Sequence, residues 1–328
     1  MLLLASVLRA LAPLFFLILL GVFLRRRNVV PAAAVPYMNA LVVNVTLPAL
    51  VVLTLSKAQE IPHAYLIACV VLFGAEMGTM ALAWALGRLL RLPRPTCGAL
   101  MMTATYGNTG FLGYPIALQR LPGMFVAGVL LDQFSMSLPL YLSGALLGGS
   151  FGGPLRHEGR GIPAAGGRRK AVLRFFRGPI FLAIVVGLAV RLVPWPAGLR
   201  EIPALQTSGD ILGQMLGYLG QGTTPVILVA LGAALRPGAI KKAPLPVALA
   251  CLLKLVICPV LAWAACRLLG ISGDLLAITV QQAAMPTAVV ASVLCTQNAM
   301  DGEVAVGIVF TATVLSGVTI PIALAVLR

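Results

Sequence analysis

Ten apolar runs, separated by mostly short polar connections, take up most of this chain. They lie near residues 5–24, 36–55, 64–87, 96–118, 124–148, 179–195, 211–235, 244–268, 275–297 and 303–327. A helix needs roughly 17–25 apolar residues to cross the hydrocarbon of a bilayer, and the runs match that length. With 60% hydrophobic and only 10% charged residues among 328, too little polar surface remains to cover a water-soluble globule. The expectation is an all-α polytopic membrane protein with ten transmembrane helices. The first run lacks a clear small-residue cleavage site and reads as a retained helix rather than a signal peptide.

The net charge of +15 would suit a nucleic-acid partner, but the placement of the cations argues for none. Arg25, Arg26 and Arg27 follow the first run, Arg88, Arg91 and Arg94 the third, and Arg236, Lys241 and Lys242 the seventh. The longest connection adds Arg156, Arg160, Arg168, Arg169, Lys170, Arg174 and Arg177, which brings sixteen of the 24 Lys and Arg to alternate connections. The positive-inside rule makes those connections cytoplasmic and both termini extracytoplasmic, in a cell (plasma or inner) membrane. Five spans precede the long connection, so the second five enter the membrane inverted relative to the first. The expected organisation is a first five-helix repeat at 1–148, a basic, glycine- and proline-rich loop at 149–178, and a second, inverted repeat at 179–328.

Two of the runs are interrupted. GNTGFLGYP at 107–115 and QQAAMPT at 281–287 place glycine, proline and uncharged polar residues inside apolar segments. Lipid tolerates broken backbone only where protein or a water-filled cavity satisfies the freed groups, so these breaks are expected to line a pathway. At the first, Asn108 and Thr109 bring an amide and a hydroxyl beside backbone N–H groups and the positive end of the following half-helix, which suits a carboxylate. At the second, Pro286 removes a donor and leaves a carbonyl free, with Gln282 and Thr287 beside it.

A charge at bilayer depth costs on the order of 3 kcal/mol on insertion scales and faces the protein interior. Three stand out: Glu76, Asp132 and Lys254. Glu76 and Lys254 occupy corresponding spans of the two halves, and fit either a static ion pair or a proton or ion relay. Asp132 adjoins Gln133, and neighbours on a helix point about 100° apart, so one faces the cavity and the other a neighbouring helix. Gln133 is the favoured substrate contact and Asp132 a candidate proton site. Asn39 and Asn44 fit interhelical hydrogen bonding as well as transport. The six cysteines include no CxxC and read as small hydrophobes, and His63 and His157 have no partner at ligand spacing, so neither a metal site nor a cofactor is expected. There is no Walker motif and no histidine within a span, which argues against an ATP-driven pump and against an intramembrane serine protease. The chain reads as a carrier and not an enzyme.

At these residues the chain resembles the auxin efflux carrier family. That family includes the plant PIN-FORMED exporters and bacterial carriers associated with malate and malonate, within the wider bile acid, arsenite and riboflavin transporter superfamily. The resemblance runs through LGVFLRRRNVVP, NALVVNVTLPALVVLTL, the Asn108–Thr109 pair with Gly113 and Pro115, LGQGTTPVILVALGAAL, LKLVICPVLAWAACRLLG and VQQAAMPTAVVASVL. It implies two inverted five-helix repeats whose fourth and ninth helices are broken and cross, with Pro115 and Pro286 as the crossover prolines. It implies further that Asn108 contacts the substrate carboxylate, that Glu76 belongs to a support site with Lys254 opposite, and that Gln133 and Gln282 are polar site positions. Met80 and Gly178 depart from the plant pattern of a lysine and an asparagine. The implied activity is alternating-access transport of a small organic anion, by elevator or rocking motion, driven by the membrane potential or by a proton taken at Glu76 or Asp132. The alternatives are a sodium-coupled organic-anion symporter or a cation/proton antiporter of the same architecture, and, from another class, a membrane sensor. The expected partners are the organic anion, the bilayer and a proton or sodium ion, with a homodimer as the candidate assembly.

Overall fold

The computed structural model describes residues 2–58, 60–152, 172–173, 175–192, 203–235 and 243–326. Most of the central basic loop, including Arg156, Arg160, Arg168, Arg169, Lys170 and Arg174, lies outside the described residues, as do Arg236, Lys241 and Lys242. The described residues are helical, with no strand among them. In chain order the helices are α1 (Leu2–Arg26), α2 (Ala34–Ser56), α3 (Ala64–Leu89), α4 (Arg94–Thr105), α5 (109–120), α6 (Pro122–Phe151) and α7 (Pro179–Leu192). There follow α8 (Pro203–Gln221), α9 (Thr223–Ala234), α10 (Pro244–Leu268), α11 (Gly273–Ala283), α12 (Val289–Gln297) and α13 (Gly302–Val326). Six of the described helical segments are long and apolar enough to cross a membrane, and this is a polytopic membrane protein. Its outward surface is correspondingly apolar: on α3, Leu66, Val70 and Phe73 recur at helical spacing and are exposed, as are Val314, Val318 and Ile322 on α13.

Four π turns interrupt these helices, and they share a cause. Val42–Thr46 in α2, Thr109–Gly113 opening α5, Leu131–Ser137 in α6 and Leu253–Ile257 in α10 are each followed, at the second residue beyond, by a proline: Pro48, Pro115, Pro139 and Pro259. Proline has no N–H to donate, and its ring crowds the carbonyl four residues earlier. Those carbonyls belong to Asn44, Phe111, Ser135 and Leu255, each within its π turn, so the backbone swells by a residue to relieve the clash. Proline is not sufficient alone, because Pro13 in α1 and Pro321 in α13 sit in unbroken helix.

The chain forms two compact units, and each draws on both halves of the sequence. The larger comprises 1–14, 62–175 and 235–328. In it α3 packs against α4, α6, α10 and α11, while α13 packs against α4, α10 and α12. Its core includes Leu100, Met101, Val247, Leu253 and Ile308 on one side of α4, and Met102, Tyr106, Leu140, Ala291 and Cys295 on the other. The smaller unit comprises 15–61 and 176–234, with α7, α8 and α9 packed on α2. There the later part of α1 approaches α9 so closely that a Cβ on Gly21 would meet the Val229 carbonyl, and one on Gly232 the Ile18 carbonyl. Such close backbone approach is what packs helices in lipid, where apolar burial between helices gains little.

Candidate functional site

The two sequence breaks meet inside the larger unit. α4 ends at Thr105, Tyr106 is extended, and Gly107 pairs antiparallel with Thr287, which follows the end of α11. Asn108 N–H donates to the Pro286 carbonyl at 2.6 Å, and Ala288 N–H donates to the Tyr106 carbonyl at 2.9 Å. Thr287 Oγ1 donates to the Thr103 carbonyl at 2.8 Å, which ties the second break to the last turn of α4. Backbone groups that a helix would have satisfied internally are thus satisfied across the crossing, which is how broken helices persist away from water.

Asp132 is the best-connected group beside the crossing. Its carboxylate accepts from Thr109 Oγ1, from Tyr114 OH at 2.6 Å and from Gln133 Nε2 at 2.6 Å. Thr109 and Tyr114 stand at the start of the half-helix α5, so Asp132 on α6 fixes α5 through two hydroxyls. The π turn Leu131–Ser137 carries both Asp132 and Gln133, and both are buried and bonded to each other. The expectation that the two side chains would diverge, one to the cavity and the other to a neighbouring helix, is therefore corrected, since Gln133 Nε2 turns back to the Asp132 carboxylate.

Lys254 and Glu76 are wholly buried, but no hydrogen bond joins them. Lys254 Nζ donates to the Ala283 carbonyl at 2.7 Å, at the end of α11, and lies 3.6 Å from Cys258 Sγ. An ammonium at a helix C-terminus complements the negative end of the helix dipole. It also packs on bare backbone, since a Cβ at Gly107 would lie 3.2 Å from Lys254 Nζ. Neither carboxyl oxygen of Glu76 has a hydrogen-bond partner. The Glu76 carboxyl is close enough to Lys254 and Asp132 to feel both charges.

The crossing also leaves amide groups unused. Asn108 is 4% exposed, and its Nδ2 has no partner. Gln282 donates to the Gly128 carbonyl at 3.3 Å and Gln281 to the Gly113 carbonyl at 3.2 Å, while the Oε1 of each is unpartnered. A Cβ on Gly113 would collide with Gln282 Oε1, so glycine there is what lets the glutamine lie against α5. Buried polar atoms without partners are uncommon, and here several lie beside one broken backbone.

The sequence-derived residues fall as follows. Asn108, Thr109, Pro286 and Thr287 are at the crossing, Pro115 is buried in α5 behind its π turn, and Gln133, Asp132, Gln282, Glu76 and Lys254 are buried in the helices of the same unit. The carbonyl that Pro286 was expected to leave free is occupied, because Gln282 O accepts from Met285 N–H at 3.3 Å. Of the donors expected at Asn108 and Thr109, the Asn108 backbone N–H and the Thr109 hydroxyl are committed, whereas the Asn108 side-chain amide has no partner. Sequence reasoning passed over Gln281 and Tyr114. Gln281 adjoins Gln282, and a tyrosine hydroxyl beside Pro115 in an apolar run was a signal that a buried partner had to exist. Asn44 donates to the Ala40 carbonyl of its own helix at 2.7 Å, so that side chain is spent locally. Among the described residues no group of three or more His, Cys, Asp and Glu could hold a metal ion.

Residues 6–143 and 168–324 match the family described as membrane transport protein. The chain belongs to the membrane transport protein family. This match and the resemblance to auxin efflux carriers point to the same group of transporters. Three relatives are similar to this chain over nearly their whole length. An uncharacterized transporter of Methanothermobacter thermautotrophicus is 29% identical over 310 residues, covering 93% of each chain. One of Methanocaldococcus jannaschii is 27% identical over 304 residues, covering 92% of each. A protein of Rhizobium meliloti named "Putative malonate transporter" is 28% identical over 315 residues, covering 94% of this chain and 92% of its own.

Proposed function

We propose that this chain is a secondary carrier of a small organic anion, a carboxylate of the malate, malonate or auxin-like class, bound where the two breaks cross. The observation that carries this reading is the unpartnered Asn108 Nδ2 at the crossing, in the same unit as a buried ammonium, Lys254, whose hydrogen bonds go to the Ala283 carbonyl and Cys258 Sγ rather than to a carboxylate. An amide donor and a cation held away from water suit a carboxylate better than any uncharged metabolite. The name of the Rhizobium meliloti relative supports the same substrate class.

In this reading Asp132 is a positioning residue. The Thr109 and Tyr114 hydroxyls that it accepts from hold α5 against α6 and so set where Asn108 stands. The carrier has ten spans in two inverted five-helix repeats, 1–148 and 179–328, joined by the basic loop 149–178, in the cell membrane with both termini outside the cytoplasm. Alternating access is an elevator or rocking movement of the unit that holds the crossing, and a homodimer is the proposed assembly. The membrane potential alone favours anion export by about 2.3 kcal/mol per charge per 100 mV. A proton on Glu76 is the preferred coupling, since neither of its carboxyl oxygens has a hydrogen-bond partner whereas Asp132 accepts three hydrogen bonds.

The test is flux of radiolabelled malate, malonate and indole-3-acetate in proteoliposomes, with and without proton and sodium gradients, beside Asn108→Ala. Saturable flux that the variant loses supports the site. Unchanged flux in a correctly inserted variant overturns it. One observation favours a second reading, sodium-coupled symport: Glu76 Oε1 and Oε2 and the Oε1 atoms of Gln281 and Gln282 are unpartnered acceptors, the atoms a hard cation takes. Flux that requires sodium and ignores the proton gradient would select it.

A further inference from the structure

The turn between α3 and α4 builds a pocket that the transport reading does not use. Arg88, Arg91 and Arg94, with Ser150 from the end of α6, line a cavity of about 370 Å³, floored by Gly87, Leu92, Cys97 and Phe151. The turn is tight: Arg91 N–H donates to Arg88 O, Leu92 N–H donates to Gly87 O, and Arg91 takes a left-handed φ of 51°. That geometry brings three arginines to one cavity, and no acidic residue lines it. Asp301, an acid near the start of α4, accepts from Thr96 Oγ1 at 2.9 Å and from Val304 N–H at 3.1 Å.

A second cavity decides the kind of ligand. Met77, Met80, Ala81 and Trp84, spaced along one face of α3, form with Met101 and Phe151 an apolar groove of about 350 Å³. Phe151 belongs to both cavities, and the Arg88 guanidinium lies over the Trp84 ring at 5.7 Å, so the arginine pocket and the groove are neighbours joined by two side chains. Guanidinium forks match phosphate oxygens bidentately, and a free phosphate would leave the groove empty. A molecule with an anionic phosphate at one end and a hydrocarbon chain at the other fills both. Tryptophan and arginine at one helix end are also the groups that sit at headgroup level.

We propose that the α3–α4 turn is a binding site for an anionic phospholipid of the surrounding bilayer, its phosphate among Arg88, Arg91 and Arg94 and an acyl chain along Met77, Met80 and Trp84. The test uses the full chain in detergent micelles, titrated with dibrominated phosphatidylglycerol or dibrominated phosphatidylcholine. The Trp84 signal is the difference between wild type and Trp84→Phe. Phosphatidylglycerol is expected to quench Trp84 at about fivefold lower mole fraction than phosphatidylcholine, as three headgroup-level cations would favour. Excess inorganic phosphate is expected not to reverse this quenching, because it cannot replace the chain in the groove. The combined Arg88→Gln, Arg91→Gln and Arg94→Gln variant is expected to lose the preference, and Ala81→Phe to weaken quenching by filling the groove. Equal quenching of wild type by both lipids overturns the proposal without recourse to any variant. So does a preference retained in the triple variant. Reversal by inorganic phosphate, with Ala81→Phe indistinguishable from wild type, would reassign the pocket to a free anion and overturn the lipid assignment.

Discussion

Asp132 is a buried charge that the fold can hold only because three donors meet it, and the consequences are specific to each donor. An asparagine there turns an amide N–H₂ toward hydroxyls that need an acceptor. Asp132→Asn is expected to cost about 2–5 kcal/mol of stability, the range for breaking a buried, hydrogen-bonded charge network. Tyr114→Phe removes one charged hydrogen bond and is expected to cost less, about 1.5–3 kcal/mol. Denaturant unfolding in detergent orders the two. Gly113→Ala behaves differently, since the obstructing atom is the end of the flexible Gln282 side chain. The helix survives while Gln282 is displaced, so flux is expected to fall about tenfold or more, in line with losing one positioned polar group of about 1–3 kcal/mol. Proteoliposome transport at matched insertion checks it. Glu76→Gln is expected to flatten the pH dependence of flux, and an unchanged profile would exclude this carboxyl as the coupling site.

At the scale of the helix, proline and π turn act together to place polar side chains. Thr109, Asp132, Gln133 and Lys254 all stand on π turns that a proline opens. Pro259→Ala restores a donor and removes the clash, which lets Leu253–Ile257 close to ordinary helix. Lys254 then turns away from the Ala283 carbonyl, so flux is expected to fall while the thermal midpoint is unchanged or rises. Flux and thermal unfolding measured on one preparation separate this from simple destabilisation. The elements themselves were legible in the sequence. The apolar run at 244–268 coincides with α10, and the clustered glycine, proline and asparagine at 107–115 locate the end of α4, because those residues change backbone energetics locally. The π turns were not legible, since an apolar run keeps its composition whether or not it holds an extra residue. Nor was the Asp132 cluster: its hydroxyl donors lie 23 and 18 residues away in sequence, and only packing brings them together. The run 211–235 begins earlier, within α8, because ALQTSGD is polar yet helical and hydrophobicity gives no signal there.

For the whole molecule, the two units divide the sequence differently from a split at its midpoint. The larger unit takes one crossing helix from each half of the chain, and the smaller takes α2 from the first half and α7, α8 and α9 from the second. If the unit with the crossing moves during transport as one body, then a cysteine pair that cross-links Gly144 on α6 to Leu294 on α12, where a Cβ on Gly144 would lie 3.4 Å from the Leu294 Cβ, stays within that unit and is expected to retain most of the flux, as measured before and after reduction. The crossing also bears on how the protein is made. Gln281 reaches the Gly113 carbonyl across 168 residues of sequence and Thr287 reaches Thr103 across 184. Until the ribosome has delivered α11 and the residues after it, Asn108 N–H and the Tyr106 carbonyl have nothing to pair with, so the first half enters the bilayer with an open break. A nascent chain stalled before Gln281 therefore carries a break without its pairing partners, and the last third of translation is what closes the crossing that the first third began.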